Sequence, residues 1–391
     1  MKNKFLKAVF VIALGGALVT SCKPKSSGDA VSGDAAQKAY VAPGKYDEFY
    51  NFVSGGFSGQ LSVYGLPSGR LFRVIPVFSV DPEKGWGYSE ETKPMLNTSQ
   101  GFVPWDDLHH TEMSQTNGEI DGRWVFGNAN NTPRIARIDL KTFKTAEIIE
   151  LPNSGGNHSS PFITENTEYV VAGTRFSVPA DYSNGDVPIN TYKENFKGHI
   201  SFVKVGKEGE MDLAFQIVTP GVNFDLSHAG KGKSHGWFFF SCYNTEQANT
   251  LLEVNASQKD KDFIMAVNWK KAEEYIKAGK GKKQSVKYAH NTWDEKTHTS
   301  KSEIKTEVLV LDSAELKDIC YMIPCPKSPH GCDVDPSGEF IVGSGKLAAL
   351  IPVFSFDKMQ SAIAKKQFEG NYGGIPVIKY EAALHGEVQK P

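Results

Sequence analysis

His330-Gly331-Cys332-Asp333-Val334-Asp335-Pro336-Ser337-Gly338, followed at once by Glu339-Phe340-Ile341-Val342-Gly343, is the stretch from which the fold is read. Asp-Pro-Ser-Gly is turn chemistry: proline presets its own φ, Asp and Ser side chains bond nearby backbone, and glycine accepts a positive φ. Phe-Ile-Val behind it is aromatic and β-branched, which predicts a strand, and the strand closes on a glycine. The plan recurs at His158-Ser159-Ser160-Pro161-Phe162-Ile163-Thr164-Glu165-Asn166, then Tyr169-Val170-Val171-Ala172-Gly173. It recurs again from His110 through Thr116-Asn117-Gly118 to Trp124-Val125-Phe126-Gly127. In each unit a histidine stands about 10 to 15 residues ahead of the strand that ends in glycine.

Other strand signals fill the spaces between units, among them Arg134 to Leu140, Ile148 to Leu151, His199 to Val203, Gly236 to Cys242, Phe263 to Val267, Glu307 to Leu311 and Leu350 to Phe356. Helical spacing is rare; Ala272, Tyr275 and Ile276, with Gly279 as a stop, predict one helix over Trp269 to Ala278. Repeated strand units at hairpin spacing are the pattern of a β-propeller, whose blades of about four strands surround a central channel. The expectation is an all-β chain with short helical insertions, holding about four to five blades of a propeller. A β-sandwich or a β-helix is the structural alternative. The chain has 391 residues, 40% of them hydrophobic and 23% charged, enough to bury a large core. A net charge of −2 carries no basic excess and argues against a nucleic-acid partner.

Residues 1–22 differ from the rest. Lys2, Lys4 and Lys7 precede the apolar run Ala8 to Val19, which is shorter than the roughly 20 residues of a membrane span. The run ends in Leu18-Val19-Thr20-Ser21-Cys22, the form of a lipoprotein signal in which Cys22 is lipidated. An ordinary secretion signal is the alternative. Residues 23–45 are small and polar and are expected to be a flexible tether, with the propeller domain over 46–391. These features predict an exported, periplasmic protein held to a membrane by its lipid alone. Cys242, Cys320, Cys325 and Cys332 remain, and disulfides, buried thiols or a thiolate metal site all stay open for them.

The chemistry rests on histidines. In Asp106-Asp107-Leu108-His109-His110 the two imidazoles are adjacent, and a regular strand would send them to opposite faces. Both reach one centre only at a strand end or a loop; otherwise they are surface side chains. His110, His158 and His330 hold similar places in three units, so a propeller would bring them to one axis. Imidazoles without accompanying acid pairs suit copper, zinc or nickel rather than calcium or magnesium. His199, His228, His235, His290 and His298 are expected in loops or at the surface. There is no Gly-x-Ser-x-Gly, no phosphate-cradling loop and no carboxylate pair suited to glycoside hydrolysis.

Leu108-His109-His110-Thr111-Glu112-Met113-Ser114, Cys242-Tyr243-Asn244-Thr245-Glu246, Lys327-Ser328-Pro329-His330-Gly331-Cys332 and Gly345-Lys346-Leu347 together resemble the nitrous oxide reductases. So do Pro133 to Ile138 and the helix end Ile276-Lys277-Ala278-Gly279, so that the resemblance runs from about residue 46 to the C-terminus. It implies an N-terminal seven-bladed propeller with a sulfide-bridged four-copper cluster on seven histidines, and a C-terminal cupredoxin domain with a dinuclear copper centre. By motif, His109, His110, His158 and His330 would be four of the seven ligands, with Asp107 a candidate to orient a ring. Tyr243, Glu246 and Asp262 would form a calcium site, with Asp260 competing for the place of Asp262, although Ser328 stands where the family usually has asparagine. The resemblance implies two-electron reduction of nitrous oxide to dinitrogen and water, a periplasmic donor such as a c-type cytochrome, and a homodimer at full length. It also implies that Lys390-Pro391 falls short of three ligands and the cupredoxin domain, leaving a fragment inactive alone. The absence of an arginine pair near the start resembles the atypical, Sec-exported branch. Two rival readings remain: a lipid-anchored propeller that binds a partner with structural histidines, and a zinc-dependent propeller enzyme.

Overall fold

The computed structural model describes residues 34–179, 188, 191, 195–243 and 262–389. It separates into two compact units, residues 1–51 with 64–71 and residues 52–63 with 72–391. In the first unit, residues Asp34–Ala39 form a short helix within the segment expected to be a tether. There Asp47 accepts hydrogen bonds from Arg70 at 2.7 Å and from the Ser68 backbone and hydroxyl at 2.9 Å.

The second unit is built of antiparallel four-stranded meanders, the form of propeller blades. Blade 1 comprises Leu108–Thr116, Glu119–Ala129, Arg134–Asp139 and Lys144–Glu150. Blade 2 comprises Ser159–Ile163, Tyr169–Gly173, Phe196–Val205 and Met211–Thr219. Blade 3 takes Asn223–Ala229, Trp237–Tyr243 and Phe263–Asn268, then skips to Cys320–Pro324; blade 4 takes Cys332–Val334, Phe340–Gly343, Leu350–Ser355 and Leu384–Gln389. The first strands of the four blades lie side by side in chain order, which is how inner strands surround a propeller axis. The all-β propeller reading therefore stands.

Face-to-face blades explain why the strands read as nearly continuous apolar runs. In Trp237-Phe238-Phe239-Phe240 the side chains alternate between faces. Phe238 and Phe240 join Phe202, Phe215 and Phe224 between blades 2 and 3. Trp237 and Phe239 join Ile341, Phe354 and Val334 between blades 3 and 4. A third layer (Phe126, Ile135, Ile149 with Val170, Ala172, Val203) joins blades 1 and 2. Each fully buried phenylalanine contributes about 1.5–3 kcal/mol relative to exposure.

Two features depart from expectation. The hairpin Lys282–Asp294 and Thr299–Asp312 is far longer than the strand predicted at Glu307 to Leu311. It bridges the outer strands of blades 1 and 2, pairing antiparallel with Lys144–Glu150 and parallel with Met211–Thr219. Phe356 does not end a strand but opens a helix, Phe356–Ala364, capped by the Ser355 hydroxyl accepting from the Lys358 N–H. The predicted helix is present as Trp269–Lys277. No helix among the described residues is long and apolar enough to cross a membrane.

Candidate metal centre

His109 and His110 open the first strand of blade 1, and the register slips between Leu108 and Thr111. Such an irregularity re-aims side chains, so adjacent residues escape the strict alternation of a regular strand. Their rings stand 4.5 Å apart, centroid to centroid. His158 immediately precedes the first strand of blade 2, and its ring lies 4.9 Å from that of His109 and 4.8 Å from that of His110. One ring nitrogen from each of these three can be chosen so that all lie within 4.8 Å of one another. His330, two residues before the first strand of blade 4, stands 6.1 Å from the His158 ring, outside that triangle but beside it.

One nitrogen of every ring lies close to an oxygen, by hydrogen bond for His109, His110 and His330 and as an ion-pair contact for His158. Asp107 Oδ2 lies 2.9 Å from His109 Nδ1. His110 Nδ1 faces the carbonyl oxygens of His158 at 3.0 Å and Ser160 at 3.2 Å, which only a protonated nitrogen can satisfy. Asp225 serves two rings, its Oδ1 2.7 Å from His158 Nδ1 and its Oδ2 2.8 Å from His330 Nδ1. Holding the proton on Nδ1 leaves the lone pair on Nε2, the arrangement that prepares imidazoles for a metal. The donor set, three neutral imidazoles with a fourth adjacent, fits copper or zinc and not a hard cation.

Electrostatics agree. Burial, and then the neighbouring imidazoles of His158 and His109, push His110 down to about 4. Burial also lowers His158, against the opposing pull of Asp225. Burial works to raise the Asp225 carboxyl, but His158 and His330 outweigh it and hold it below the ordinary range.

The loops behind the ligands are fastened by another acid. Asp106 is buried and accepts from the backbone N–H groups of Asp107, Asn131 and Thr132 at 2.7, 3.1 and 2.7 Å, and from the Thr132 hydroxyl. Asn128 Oδ1 accepts the His110 backbone N–H at 2.6 Å, and its amide donates to the Asn157 carbonyl next to His158.

Asp107 takes the orienting place expected of it. Asp225 was not anticipated, because no local motif marks it. The available signal was the repeat itself: blade 3 has no histidine at the start of its first strand, Asn223–Ala229, and Asp225 stands near that position. Of the proposed calcium residues, Asp262 is buried and its Oδ2 accepts the Ser328 N–H at 2.9 Å. The Tyr243 side chain, Glu246 and Cys22 lie outside the described residues.

The other histidines correct an expectation. His199 is buried within a strand of blade 2, where burial pushes it down to about 4. His228 sits on the first strand of blade 3, and His290 lies in the long hairpin with Nε2 2.6 Å from Glu147. These are strand positions, not loops, because alternation places polar side chains between apolar ones. His298 does occupy a turn, at φ 54°. The four described cysteines, Cys242, Cys320, Cys325 and Cys332, are free thiols.

No family model matches the chain. Among curated proteins it is similar to the nitrous-oxide reductase of Stutzerimonas stutzeri, 30% identical over 364 residues, which are 92% of this chain and 52% of the relative. The nitrous-oxide reductase of Pseudomonas fluorescens is 30% identical over 357 residues, 89% of this chain and 51% of the relative. The chain thus spans about half the length of the curated relatives it matches. Among solved structures, Kuenenia stuttgartiensis hydrazine synthase aligns with a TM-score of 0.49 at 11% identity, covering 87% of this chain and 71% of that one.

Proposed function

We propose, from the similarity to nitrous-oxide reductases as premise, that His109, His110, His158 and His330 hold copper for the reduction of nitrous oxide to dinitrogen and water. The observation that carries the reading is that ring nitrogens of His109, His110 and His158 lie within 4.8 Å of one another with the His330 ring 6.1 Å from that of His158, while the Nδ1 of each ring faces an oxygen acceptor. Copper bound there, as a sulfide-bridged four-copper cluster on seven histidines, would supply the electrons for the two-electron step. The chain's own part is to bind the metal and orient its ligands. Asp107 and Asp225 fix ring orientation, and the buried Asp106 network fixes the loop ahead of His109. Three further ligands and a dinuclear copper domain that receives electrons from a c-type cytochrome complete the proposed enzyme, working as a homodimer.

A calcium ion is proposed for Tyr243, Glu246 and Asp262. Its support is the family motif and the burial of Asp262 beside the Ser328 N–H, one residue removed from Pro329-His330. Lipidation of Cys22 and residence in the periplasm are proposed from the leader. Mass spectrometry of the mature N-terminus should find diacylglycerol on Cys22, and an unmodified end elsewhere refutes the anchor.

The test of function is metal analysis of the full gene product after copper loading, with nitrous oxide reduction assayed from an artificial donor. Copper with turnover is expected. Stoichiometric zinc, or no metal retained, overturns the proposal and favours a zinc enzyme or a binding propeller respectively.

A further inference from the structure

We propose that Cys325 and Cys332 are joined by a disulfide formed in an oxidising compartment, and that the bond ties down the loop carrying His330. The disulfide is read from geometry alone; only its consequence for a ligand rests on the copper reading. Cys325 directly follows the strand Cys320–Pro324 of blade 3, and Cys332 begins the strand Cys332–Val334 of blade 4. Everything between them is the ligand loop, Pro326-Lys327-Ser328-Pro329-His330-Gly331, with Ser328 at φ 55°.

Both thiols belong to the same apolar layer between blades 3 and 4. Cys332 pairs directly with Gly343 across the antiparallel ladder. A Cβ placed on Gly343 would meet the Cys325 sulfur at 3.1 Å. Directly opposed positions point to one face with Cβ atoms about 4.5–5.5 Å apart. The missing side chain of Gly343 leaves space for the Cys325 sulfur beside Cys332, whose thiol, free in this structure, donates to the Phe239 carbonyl at 3.2 Å and turns from it to form the bond. By contrast, Cys242 and Cys320 lie in the layer between blades 2 and 3, across the blade 3 sheet.

Timing follows from burial. Cys332 is buried and Cys325 half-buried, and burial pushes both thiols up from their ordinary value, so both react slowly once the layer is closed. The bond forms before the loop packs, by exchange with an external disulfide. One thiolate attacks that disulfide and releases the first external thiol. The second thiolate then displaces the other, so two cysteines are oxidised and the external disulfide leaves as two thiols.

The experiment refolds the full chain from denaturant in a glutathione and glutathione-disulfide buffer, blocks remaining thiols, and maps peptides by mass. The expected result is a predominant Cys325–Cys332 peptide lighter by two hydrogens, with Cys242 and Cys320 alkylated. Chain refolded first under reductant and then exposed to glutathione disulfide should oxidise more slowly, because Cys332 is then buried and Cys325 half-buried. Alkylation of both Cys325 and Cys332 in the oxidatively refolded chain overturns the proposal. Linkage of either one to Cys242 or Cys320 overturns it too. Because masses are read without copper, a failure of the copper reading leaves this result interpretable.

Discussion

Asp225 holds two imidazoles from blades that are not sequence neighbours, whereas Asp107 holds one. Outer-shell acceptors of this kind are worth about 10–100-fold in metal affinity. Asp107→Ala should weaken copper binding by about that factor, and Asp225→Ala should weaken it more, since it releases both His158 and His330; competition titration with a copper chelator measures both. Equal losses would show that the two rings do not depend on the shared acid. Away from the site, Asp121 is gripped by Arg123, Ser114 and Thr116, which outweigh its burial and hold its carboxyl far below the ordinary range. A depressed folded value gives stability that is complete above the unfolded carboxylate value and is lost as pH falls through the folded one. Urea midpoints should therefore fall as pH drops below about 4, and Asp121→Asn should be less stable at neutral pH with a flatter acid limb. At this scale the histidine set was legible because a repeat exposed it, and Asp225 was not because an aspartate in Asn-Phe-Asp-Leu carries no pattern of its own.

Blades are the units at the next scale, and their edges show where sequence reading succeeds. Trp269–Lys277 was readable from Ala272, Tyr275 and Ile276 because one face is apolar and a glycine follows. Asn268 caps it by accepting the Lys271 N–H at 3.0 Å, so Asn268→Ala should cost about 1 kcal/mol in chemical denaturation. Phe356, Met359 and Ile363 also have helical spacing, but they follow an apolar strand without a turn residue, so the strand reading ran on into them. The long hairpin was hidden for a different reason. Much of it is exposed and charged, with Lys283 paired to Glu307 and Lys305 to Glu303, leaving no apolar alternation to detect. Within the blade layers the opposite holds, and Phe240→Ala should destabilise by about 3–5 kcal/mol, read as a lower urea midpoint; a loss under 1 kcal/mol would contradict close packing there.

For the whole molecule, the propeller explains how histidines from blades 1, 2 and 4, far apart in sequence, come together. Each first strand starts at the same end of its blade, so residues just ahead of it converge wherever the blades are placed side by side. A metal that binds only the folded chain should then stabilise all of it, by about 2.7 kcal/mol when free copper is a hundredfold above its dissociation constant. The most direct test is copper K-edge absorption of the copper-loaded chain, wild type against His110→Ala/His158→Ala. The expected result is nitrogen-ligated copper in the wild type, with the imidazole signal and the bound copper both lost in the double variant. The same copper content and the same spectrum in both proteins would contradict it.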